Sequence, residues 1–529
     1  MKEYYLKPTV QIEPLVWRWY AWSYIISPAT AACNIVSRHL KIMQSYVNNP
    51  KIHAQAMKDP KMIGGPFMDL GDSYVDKIQE LFNATKEDCK ELIGLHDSIK
   101  SFDKLLQEKA NGYSLEALYS QMPDNLRGCV ELVYDLNNHP SMRLIEKFIY
   151  KKFYTDAHQE IMLSDHDSDL KKFIFSTPSI NNGAKLNLKI PFSDKRLESL
   201  FKSRREPCDL DDMAKMLNVP NDDDELFQSL FTSTVPKAVS DNNYQGDGVR
   251  IRYFGHACVL VETNSVSILF DPAVSYPIEN DIPRYTLYDL PDTIDYVVIT
   301  HSHSDHIMFE TLLQIRHKIR HIIFPGNVRG ALQDPSLKLI LEYTGFESLI
   351  EIGELENITF EDGEIISLPF FGEHCDLNVQ SKLSYAVNVK GKKMVFAADS
   401  NNLDERLYDN ISEFIGEVDI LFIGMECVGA PLTWVYGPLL TNPLPRAIDR
   451  DRKLSGSDCE KAISIVKKLK CKQAYVYAMG QEPWLSHVMG LNYSPESEQM
   501  IESNKFINEC KAMGIESERP FGKKEWILS

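Results

Sequence analysis

The spacing of apolar positions changes about halfway along the chain. In the first half, apolar residues recur every three or four positions over 73–82 and 87–106, which predicts two amphipathic helices. Residues 83–87 combine Asn and Thr with following charges, a pattern typical of a helix start. Strand-like runs are few in this half, and we predict strands only at 129–134 and 185–190.

A polar stretch at 232–247, rich in Asp, Asn and Gly, separates the two halves. We interpret it as a linker between a mainly helical α+β domain at 1–235 and a second domain at 249–529, with an ordered surface loop as the alternative. The second half begins with strands and then alternates strands with helices, which predicts an α/β fold, an αββα sandwich. The predicted strands are 249–254, 258–263, 267–270, 296–300, 321–324, 385–389, 393–397, 420–423 and 473–478, and the predicted helices are 309–316 and 459–469.

The chain has 529 residues and a formal net charge of −18 at pH 7. The length predicts two or three domains. The negative charge argues against a nucleic-acid backbone as the main partner, because phosphate binding needs a basic surface. Two basic clusters are interpreted as solvated faces, with docking of an acidic protein partner as the alternative; they are Lys202, Arg204 and Arg205, and Arg316, Lys318 and Arg320.

The ten cysteines are scattered with no C-x-x-C pair, which predicts reduced thiols in a cytoplasmic protein. The apolar and aromatic segment 15–26 contains Arg18 and is followed by Pro28, so it does not have the pattern of a signal peptide. No other run approaches the length of a membrane span. We expect the aromatic residues of 17–24 to pack against a second surface, within the domain or between subunits.

The motif His301-Ser-His-Ser-Asp-His306 is the most informative stretch of the chain. It follows an apolar run at 296–300, and loops that leave such strands carry the chemistry of open α/β sheets. His301 and His303 are two residues apart and point the same way in an extended segment. Asp305 and His306 follow as the chain turns. The motif therefore predicts two metal ions held side by side; the alternative is a solvated loop that is rich in His by chance.

Two metal ions need about six or seven protein ligands, so others must come from later loops. Glu373 lies in a loop with His374 beside it as the alternative ligand. Asp399 directly follows a predicted strand, and its alternative role is a helix cap. His487 follows the last predicted strand and is the only histidine after residue 399. Of Glu373 and His374, the residue that does not bind metal would support the ligands through hydrogen bonds.

Five further residues receive other interpretations. His256 is expected to be structural or to support a ligand, and Cys375 to be a small buried apolar residue. The long loop after the strand at 420–423 holds Glu426, Trp434 and Tyr436. We interpret it as a packed aromatic loop, with the lining of a substrate channel as the alternative.

These residues also carry a family resemblance. Residues 249–500 resemble the metallo-β-lactamase fold, through the apolar opening at 251–261, the run 268–272 and the motif at 301–306. The hydrolases of this fold place a third histidine where this chain offers Glu373, and His374 would restore their pattern.

The order and spacing of these positions, behind a helical domain, resemble a narrower group. These are the di-iron oxygenases of the metallo-β-lactamase fold, typified by the β-hydroxylase of chloramphenicol biosynthesis. The resemblance extends over nearly the whole chain and includes features at 17–20, 27–32 and 64–67. In that group a glutamate replaces the third histidine, and Glu373 matches it.

The resemblance implies a complete ligand set with two catalytic members, Glu373 and Asp399. Added carboxylates suit redox-active iron, whereas a nitrogen-rich set suits zinc. Two non-haem Fe ions with O2 as co-substrate are therefore implied, and two Zn ions are the alternative. One metal would be bound by His301, His303 and Glu373, the other by Asp305, His306 and His487, and both by Asp399.

The implied function is O2-dependent hydroxylation of the β-carbon of an aminoacyl thioester on a carrier domain of a nonribosomal peptide synthetase. The implied partners are that carrier domain and an electron donor, with no nucleic acid, no membrane and a possible homodimer. We expect the carrier to dock near the junction of the two halves, on Lys202, Arg204 and Arg205. A di-zinc hydrolase of the same fold is the alternative function, and a non-catalytic scaffold is a third interpretation.

Overall fold

The computed structural model describes residues 3–59, 62–181, 183–236, 242–490 and 493–529. The N-terminal part contains ten α-helices and eight strands within these residues. The helices are α1 (Ser23–Ile26), α2 (Pro28–Asn34), α3 (Leu40–Asn48), α4 (Pro50–Ala56), α5 (Val75–Asp88), α6 (Lys90–Lys109), α7 (Glu146–Phe153), α8 (Arg196–Lys202), α9 (Leu210–Leu217) and α10 (Asp224–Ser229). The strands are β1 (Tyr5–Leu6), β2 (Val10–Val16), β3 (Trp19–Tyr20), β4 (Val130–Tyr134), β5 (Pro140–Leu144), β6 (Gln159–Asp165), β7 (Leu186–Leu188) and β8 (Phe231–Thr232).

The two long helices of this part differ from their predicted bounds. The predicted helix start at 83–87 is wrong, because α5 continues through these residues to Asp88 and α6 begins at Lys90. Thr85 is buried inside α5, so its packing outweighs its preference for a helix cap. The break falls at Cys89, where ψ turns to 18°.

The central strand pair of this part, β2 with β6, was not predicted. The two strands pair antiparallel from Val10 opposite Asp165 to Val16 opposite Gln159, within the sheet order β3-β2-β6-β7. Polar residues at buried positions hide the strand pattern. Glu13 is paired with Lys185 at 3.0 Å, a partner that no local pattern reveals.

The C-terminal part contains fourteen strands and eight α-helices among the described residues. The strands are β9 (Val249–Gly255), β10 (Cys258–Glu262), β11 (Ser267–Phe270), β12 (Ile294–Val298), β13 (Ile319–Pro325), β14 (Leu349–Ile352), β15 (Asn357–Phe360), β16 (Gly363–Leu368), β17 (Ser384–Val389), β18 (Lys392–Phe396), β19 (Ile420–Gly424), β20 (Gln473–Tyr477), β21 (Glu516–Glu518) and β22 (Lys524–Leu528). The helices are α11 (Phe309–Ile315), α12 (Leu337–Tyr343), α13 (Arg406–Ile415), α14 (Leu432–Tyr436), α15 (Arg446–Asp451), α16 (Cys459–Lys468), α17 (Ser486–Met489) and α18 (Glu498–Ala512).

These strands form two seven-stranded sheets, β14-β13-β12-β11-β10-β9-β22 and β15-β16-β17-β18-β19-β20-β21. The sheets pack face to face through apolar side chains, and Phe270 of one sheet stacks on Phe396 of the other at 4.0 Å between ring centroids. Helices α13, α16 and α18 cover the second sheet. This confirms the predicted αββα sandwich behind a mainly helical α+β domain.

The direction of the strands determines where the loops with the candidate site residues lie. Strand β12 runs parallel to β11 and β13, and β19 runs parallel to β18 and β20. The loops that leave the carboxyl ends of parallel strands are where open α/β sheets build their sites.

The junction of the two parts contains basic residues that the sequence analysis had interpreted as solvated. Arg204 is only 4% exposed, and its guanidinium donates to Val10 O at 2.7 Å and to Gln314 Oε1 at 2.6 Å. Arg316 is buried too and donates to Asp194 O at 2.9 Å. The interpretation of the two basic clusters as solvated faces is therefore wrong for these two residues, since carbonyl and amide oxygens across the junction bind them.

The aromatic segment 17–24 also joins the two parts. Tyr20 Oη donates to Glu310 Oε2 at 2.9 Å, and Tyr24 Oη donates to Gln333 O at 2.6 Å. The predicted linker begins inside β8, and its residues 237–241 lie outside the described residues. No described helix is long and apolar enough to cross a membrane.

Candidate metal centre

Loops from both sheets bring histidines and carboxylates together at one place. Three groups of side chains each have ligand atoms within 4.8 Å of one another in the described chain. The motif after β12 contributes to all three, and the loops after β16 and β18 contribute Glu373 and Asp399. The groups are His301, His303 and Glu373; His301, His306 and Asp399; and His256, Asp305 and His306.

The first group pairs two imidazoles with a carboxylate. His303 Nδ1 lies 2.7 Å from Glu373 Oε1, and both side chains are buried. His301 is fully buried, and its Nε2 lies 3.8 Å from Asp399 Oδ2. Asp399 thus lies next to this first group, and it is itself a member of the second group, with His301 and His306.

Hydrogen bonds fix the ring of His301. Thr300 Oγ1 donates its proton to Asp271 Oδ2 at 2.6 Å, so it can only accept from His301 Nδ1 at 3.0 Å. His301 Nδ1 therefore carries the proton, and its Nε2 presents a lone pair to the space beside Asp399. This is the tautomer that a metal ligand needs.

In the second group, a carboxylate binds the ring nitrogen of His306 that points away from Asp399. His306 Nδ1 lies 2.8 Å from Asp271 Oδ2, while its Nε2 lies 3.1 Å from Asp399 Oδ2. Asp271 also accepts from Thr300 N at 2.8 Å. A carboxylate that binds the far nitrogen of a histidine fixes the ring and makes it a stronger ligand.

His256 supports Asp305 in the same way. Its Nδ1 accepts from Gly480 N at 3.0 Å, so the proton is on Nε2, which donates to Asp305 Oδ2 at 3.0 Å. The ring thus orients the carboxylate, which agrees with a supporting role for His256.

The donor set fits metal cations. His301 Nε2 and Asp399 Oδ1 are buried and have no hydrogen-bond partner among the residues that the structure describes. Burial raises the pKa of Asp399, and the negative charges of Glu373 and Asp305 add to this. Buried lone pairs and crowded carboxylates are costly unless cations neutralise them.

Backbone strain also concentrates around the site. Residues other than glycine with left-handed φ values store strain that the surrounding fold must offset, and such residues are common at functional sites. Four of them lie just after strands, namely His256 (51°), Asp271 (35°), Ala398 (47°) and Ala478 (52°), and Glu373 (64°) lies in the loop after β16.

Of the two adjacent candidates, the structure brings Glu373 into the cluster. His374 stacks on His303 at 4.6 Å between ring centroids, and its Nδ1 lies 2.6 Å from Glu373 Oε2. His374 is absent from the three described groups. Burial lowers the pKa of His374 to about 4 and outweighs the opposing charge of Glu373. His374 therefore has the geometry of a neutral supporting residue.

The structure does not bring His487 to the cluster. This residue lies on α17, where its Nε2 is 3.7 Å from Glu310 Oε2 and its ring contacts Tyr20 edge-on. It is absent from the three described groups. After β20 the chain turns away from the cluster toward the N-terminal part. The prediction of His487 as a ligand used only its spacing from the last strand, and spacing does not reveal this path.

Glu426 is a residue whose role the sequence left open. It follows β19, and desolvation with the negative charges of Asp399, Asp305 and Glu373 raises its pKa well above the ordinary value. A carboxyl group in such a setting is a candidate for a functional site. Its position after an apolar strand was the signal in the sequence. Tyr436 comes from the same loop, and its Oη lies 3.5 Å from His303 Nε2.

Comparison with known proteins matches both parts of this architecture. Residues 5–235 match the family model of the di-iron non-haem β-hydroxylase N-terminal domain, and residues 267–476 match the β-lactamase superfamily domain. The chain is similar to the 4-amino-L-phenylalanyl-[CmlP-peptidyl-carrier-protein] 3-hydroxylase of Streptomyces venezuelae, with 33% identity over 526 residues, 98% of each chain. The crystal structure of CmlA, a di-iron β-hydroxylase from Streptomyces venezuelae, superposes over 100% of both chains with a TM-score of 0.92 and 31% identity.

The hydrolase relatives match far less of the chain. A UPF0173 metal-dependent hydrolase from Ignicoccus hospitalis is 41% identical over 61 residues, which is 11% of this chain and 24% of that protein.

The fold and the site define a metallo-β-lactamase-fold protein with a centre rich in histidine and carboxylate. The chain belongs to the family of di-iron non-haem β-hydroxylases. This confirms the predicted resemblance, the class of enzyme and the iron cofactor, and it disfavours the hydrolase alternative.

Proposed function

We propose that this protein hydroxylates the β-carbon of an aminoacyl group held as a thioester on a carrier domain of a nonribosomal peptide synthetase. The observation that carries the proposal is the histidine–carboxylate centre behind an N-terminal domain of the β-hydroxylase type. The relative of similar length acts on an aminoacyl group of a peptidyl carrier protein. The reaction would place one atom of O2 on the β-carbon and reduce the other to water with two electrons from a donor.

Six of the seven proposed ligands come from the geometry of the centre, and the seventh from its electrostatics. Glu426 takes the place that the sequence had suggested for His487, because the negative charges of Asp399, Asp305 and Glu373 act on its carboxyl, whereas His487 lies beside Glu310. Glu426 is not a member of the three described groups. One iron would be bound by His301, His303 and Glu373, the second by Asp305, His306 and Glu426, and both by Asp399.

A pair of irons in this site would supply an oxidant strong enough for an unactivated C–H bond. The residues of the chain position the ligands and shield the centre. Asp271 and Thr300 orient His306 and His301, and His256 orients Asp305. Tyr436 is 1% exposed and covers His303. Such shielding protects the reacting group from water and side reactions.

The cellular location, the electron donor and the oligomeric state are also part of the proposal. All ten cysteines are free thiols, which supports a cytoplasmic location. The electron donor and a homodimer stay predictions.

The test is an oxygen-labelling experiment with the iron-loaded enzyme. The reduced protein would be mixed without air with candidate aminoacylated carrier domains, and labelled O2 would then be admitted. We expect one labelled oxygen atom on the aminoacyl group by mass spectrometry, and none with free amino acids. Full activity of a zinc form, or release of the amino acid by thioester hydrolysis, would contradict the proposal.

A matched set of variants tests the ligands. Glu373→Ala and Glu426→Ala should lose bound iron, whereas His374→Ala should keep it. Asp376 follows directly in the same loop and is exposed, so Asp376→Asn serves as the control. Metal content gives a result even where turnover is absent.

A further inference from the structure

A cavity of about 630 Å³ lies between the N-terminal part and the segment around α14. Its charged lining residues are Arg38 and Lys41, and no described Asp or Glu lines it. The whole chain carries a net charge of −18, so a cavity with only cations on its wall goes against the general charge of the protein. The lining therefore favours an anionic ligand.

Aromatic rings form the rest of this wall. Trp434 contacts Phe175 edge-on at 5.5 Å and Phe173 at 6.1 Å between ring centroids. The indole Nε1 of Trp434 donates to Gly64 O at 3.1 Å, and the Arg38 guanidinium donates to Trp434 O. The rings are thus fixed across the junction of the two parts, and they offer an apolar surface next to the cations. We call this space the aromatic cavity.

Helix α14 connects the wall of the aromatic cavity with the metal centre. Trp434 lines the cavity, and Tyr436, two residues later on α14, lies 3.5 Å from His303 through its hydroxyl. Tyr436 also packs edge-on against Tyr24 at 6.1 Å. The same short helix thus contacts both the cavity and a proposed iron ligand.

We propose that the aromatic cavity receives the phosphopantetheine arm of the aminoacylated carrier domain. The inference rests on the proposed function. The phosphate of the arm would lie beside Lys41 and Arg38, its uncharged chain would run along Phe173, Phe175 and Trp434, and the aminoacyl group would reach past Tyr436. The arm matches the wall, because it is anionic at the carrier end and uncharged along its length. Binding energy along the arm would orient the reacting carbon from a distance.

The first test separates the phosphate from the rest of the arm. Three substrates with the same amino acid would be compared: aminoacyl-pantetheine, aminoacyl-phosphopantetheine and the aminoacyl carrier domain. Lys41→Glu should raise KM by about tenfold for the two phosphate-bearing substrates and by less than about twofold for aminoacyl-pantetheine. Lys147→Glu is the control, because Lys147 is exposed on α7 and does not line the cavity.

The second test blocks the cavity. Ser45 lines it from α3 and is exposed, so Ser45→Trp should fill the entrance and remove turnover of the carrier domain. Gln44→Trp places the same ring on the neighbouring exposed position, which does not line the cavity, and should keep turnover. Iron content and thermal unfolding would verify that both variants are folded.

The outcomes distinguish this inference from the proposed function. Unchanged KM in Lys41→Glu together with unchanged turnover in Ser45→Trp, while the wild type hydroxylates the carrier substrate, would overturn the inference alone. An equal rise of KM for all three substrates would also overturn it, since the phosphate would then make no contribution. A wild-type enzyme that hydroxylates no aminoacyl carrier domain would overturn the proposed function itself.

Discussion

Two cavities lie between the two parts of the molecule, and they differ in how their charged residues are used. The aromatic cavity presents Lys41, which forms no hydrogen bond or ion pair within the described residues. The second cavity, of about 280 Å³, is lined by Lys202, Arg205, His317 and Lys318, and we call it the basic cavity. Here Arg205 and Lys318 are bound by the protein itself, whereas the side chain of Lys202 is exposed and forms no hydrogen bond or ion pair within the described residues.

The contacts in the basic cavity are with its own walls. Arg205 pairs with Asp292 at 2.9 Å and donates to Tyr288 O at 2.6 Å. Lys318 Nζ donates to Pro291 O at 3.0 Å. Positive charge alone therefore does not identify a ligand site. Arg205 of the basic cavity joins the two parts and Lys318 is bound within its own part, whereas Lys41 of the aromatic cavity lies next to aromatic rings and stays available for a ligand.

The two cavities also lie at different ends of the catalytic sheet. The basic cavity adjoins residues before β12, and the metal motif follows β12. The expectation that the carrier docks on Lys202, Arg204 and Arg205 conflicts with this arrangement. A thioester bound there would face the amino ends of the strands, far from the chemistry at their carboxyl ends.

The largest effect is expected at the metal end. Asp399→Ala removes the carboxylate that lies beside both His301 and His306, so we expect loss of bound iron and at least a roughly 100-fold loss of turnover. Iron analysis and a single-turnover assay measure both. Asp404→Asn, an exposed change in the same loop, is the control and should keep both properties. Normal iron content in Asp399→Ala would exclude this residue as a shared ligand.

The second-largest effect is expected on protein stability, for a change of Arg204 in the lining of the basic cavity. Arg204→Met removes charged hydrogen bonds to Val10 O and Gln314 Oε1, so we expect the free energy of unfolding to fall by about 1.5–3 kcal/mol. Turnover of the folded enzyme should change by less than about twofold. Urea unfolding monitored by fluorescence, with the exposed Lys202→Met as the control, checks this. Lost turnover at unchanged stability would instead place the basic cavity on the substrate path.

The contrast between the two cavities also shows what the sequence could predict. Apolar runs and turns predicted nine strands of the sandwich, because these strands show their pattern locally. Strands β14, β15, β16, β21 and β22 were not predicted. The pair β2 and β6 was missed because its polar residues have distant partners; the partly buried Glu13, for example, pairs with Lys185. The clusters at 202–205 and 316–320 could not be recognised as a junction, since burial of Arg204 and Arg316 depends on the docking of two domains.

The metal centre also contains some residues that the sequence could predict and others that it could not. The motif 301–306 and Asp399 could be predicted, because they follow apolar strands directly and need no knowledge of loop paths. His487 lies nine residues after such a strand, and the path of that loop was not readable. Glu426 was visible after its strand, but a carboxylate in a loop resembles any solvated one until the fold encloses it beside Asp399.

A third prediction uses pH to separate the two cavities. Burial and the positive charges of Lys318, Lys202 and Arg205 lower the pKa of His317 from 6.5 to about 3. Between these values the unfolded chain binds a proton that the folded chain does not, so stability falls as the pH drops from 6.5 toward 3. His317→Gln should remove on the order of 1–2 kcal/mol of this dependence.

Chemical unfolding of the wild type and His317→Gln at pH 7 and at pH 4 measures the difference. At pH 7 the two proteins should show the same KM for the carrier substrate, because His317 lies in the basic cavity. Parallel stability profiles would mean that His317 takes up its proton normally in the folded protein.

The smallest effect is expected for charge reversal at the rim of the basic cavity. Lys202 is exposed, and the ionic atmosphere screens an exposed charge beyond about 8 Å at physiological salt. Lys202→Glu should therefore raise KM for the carrier substrate by less than about twofold, the same as the surface control Lys147→Glu. At low salt both should rise equally, because both add the same charge to an acidic protein. Lys41→Glu should exceed them at every salt concentration. A larger effect at Lys202 than at Lys41 would exchange the roles of the two cavities and bring the arm in from the amino ends of the strands.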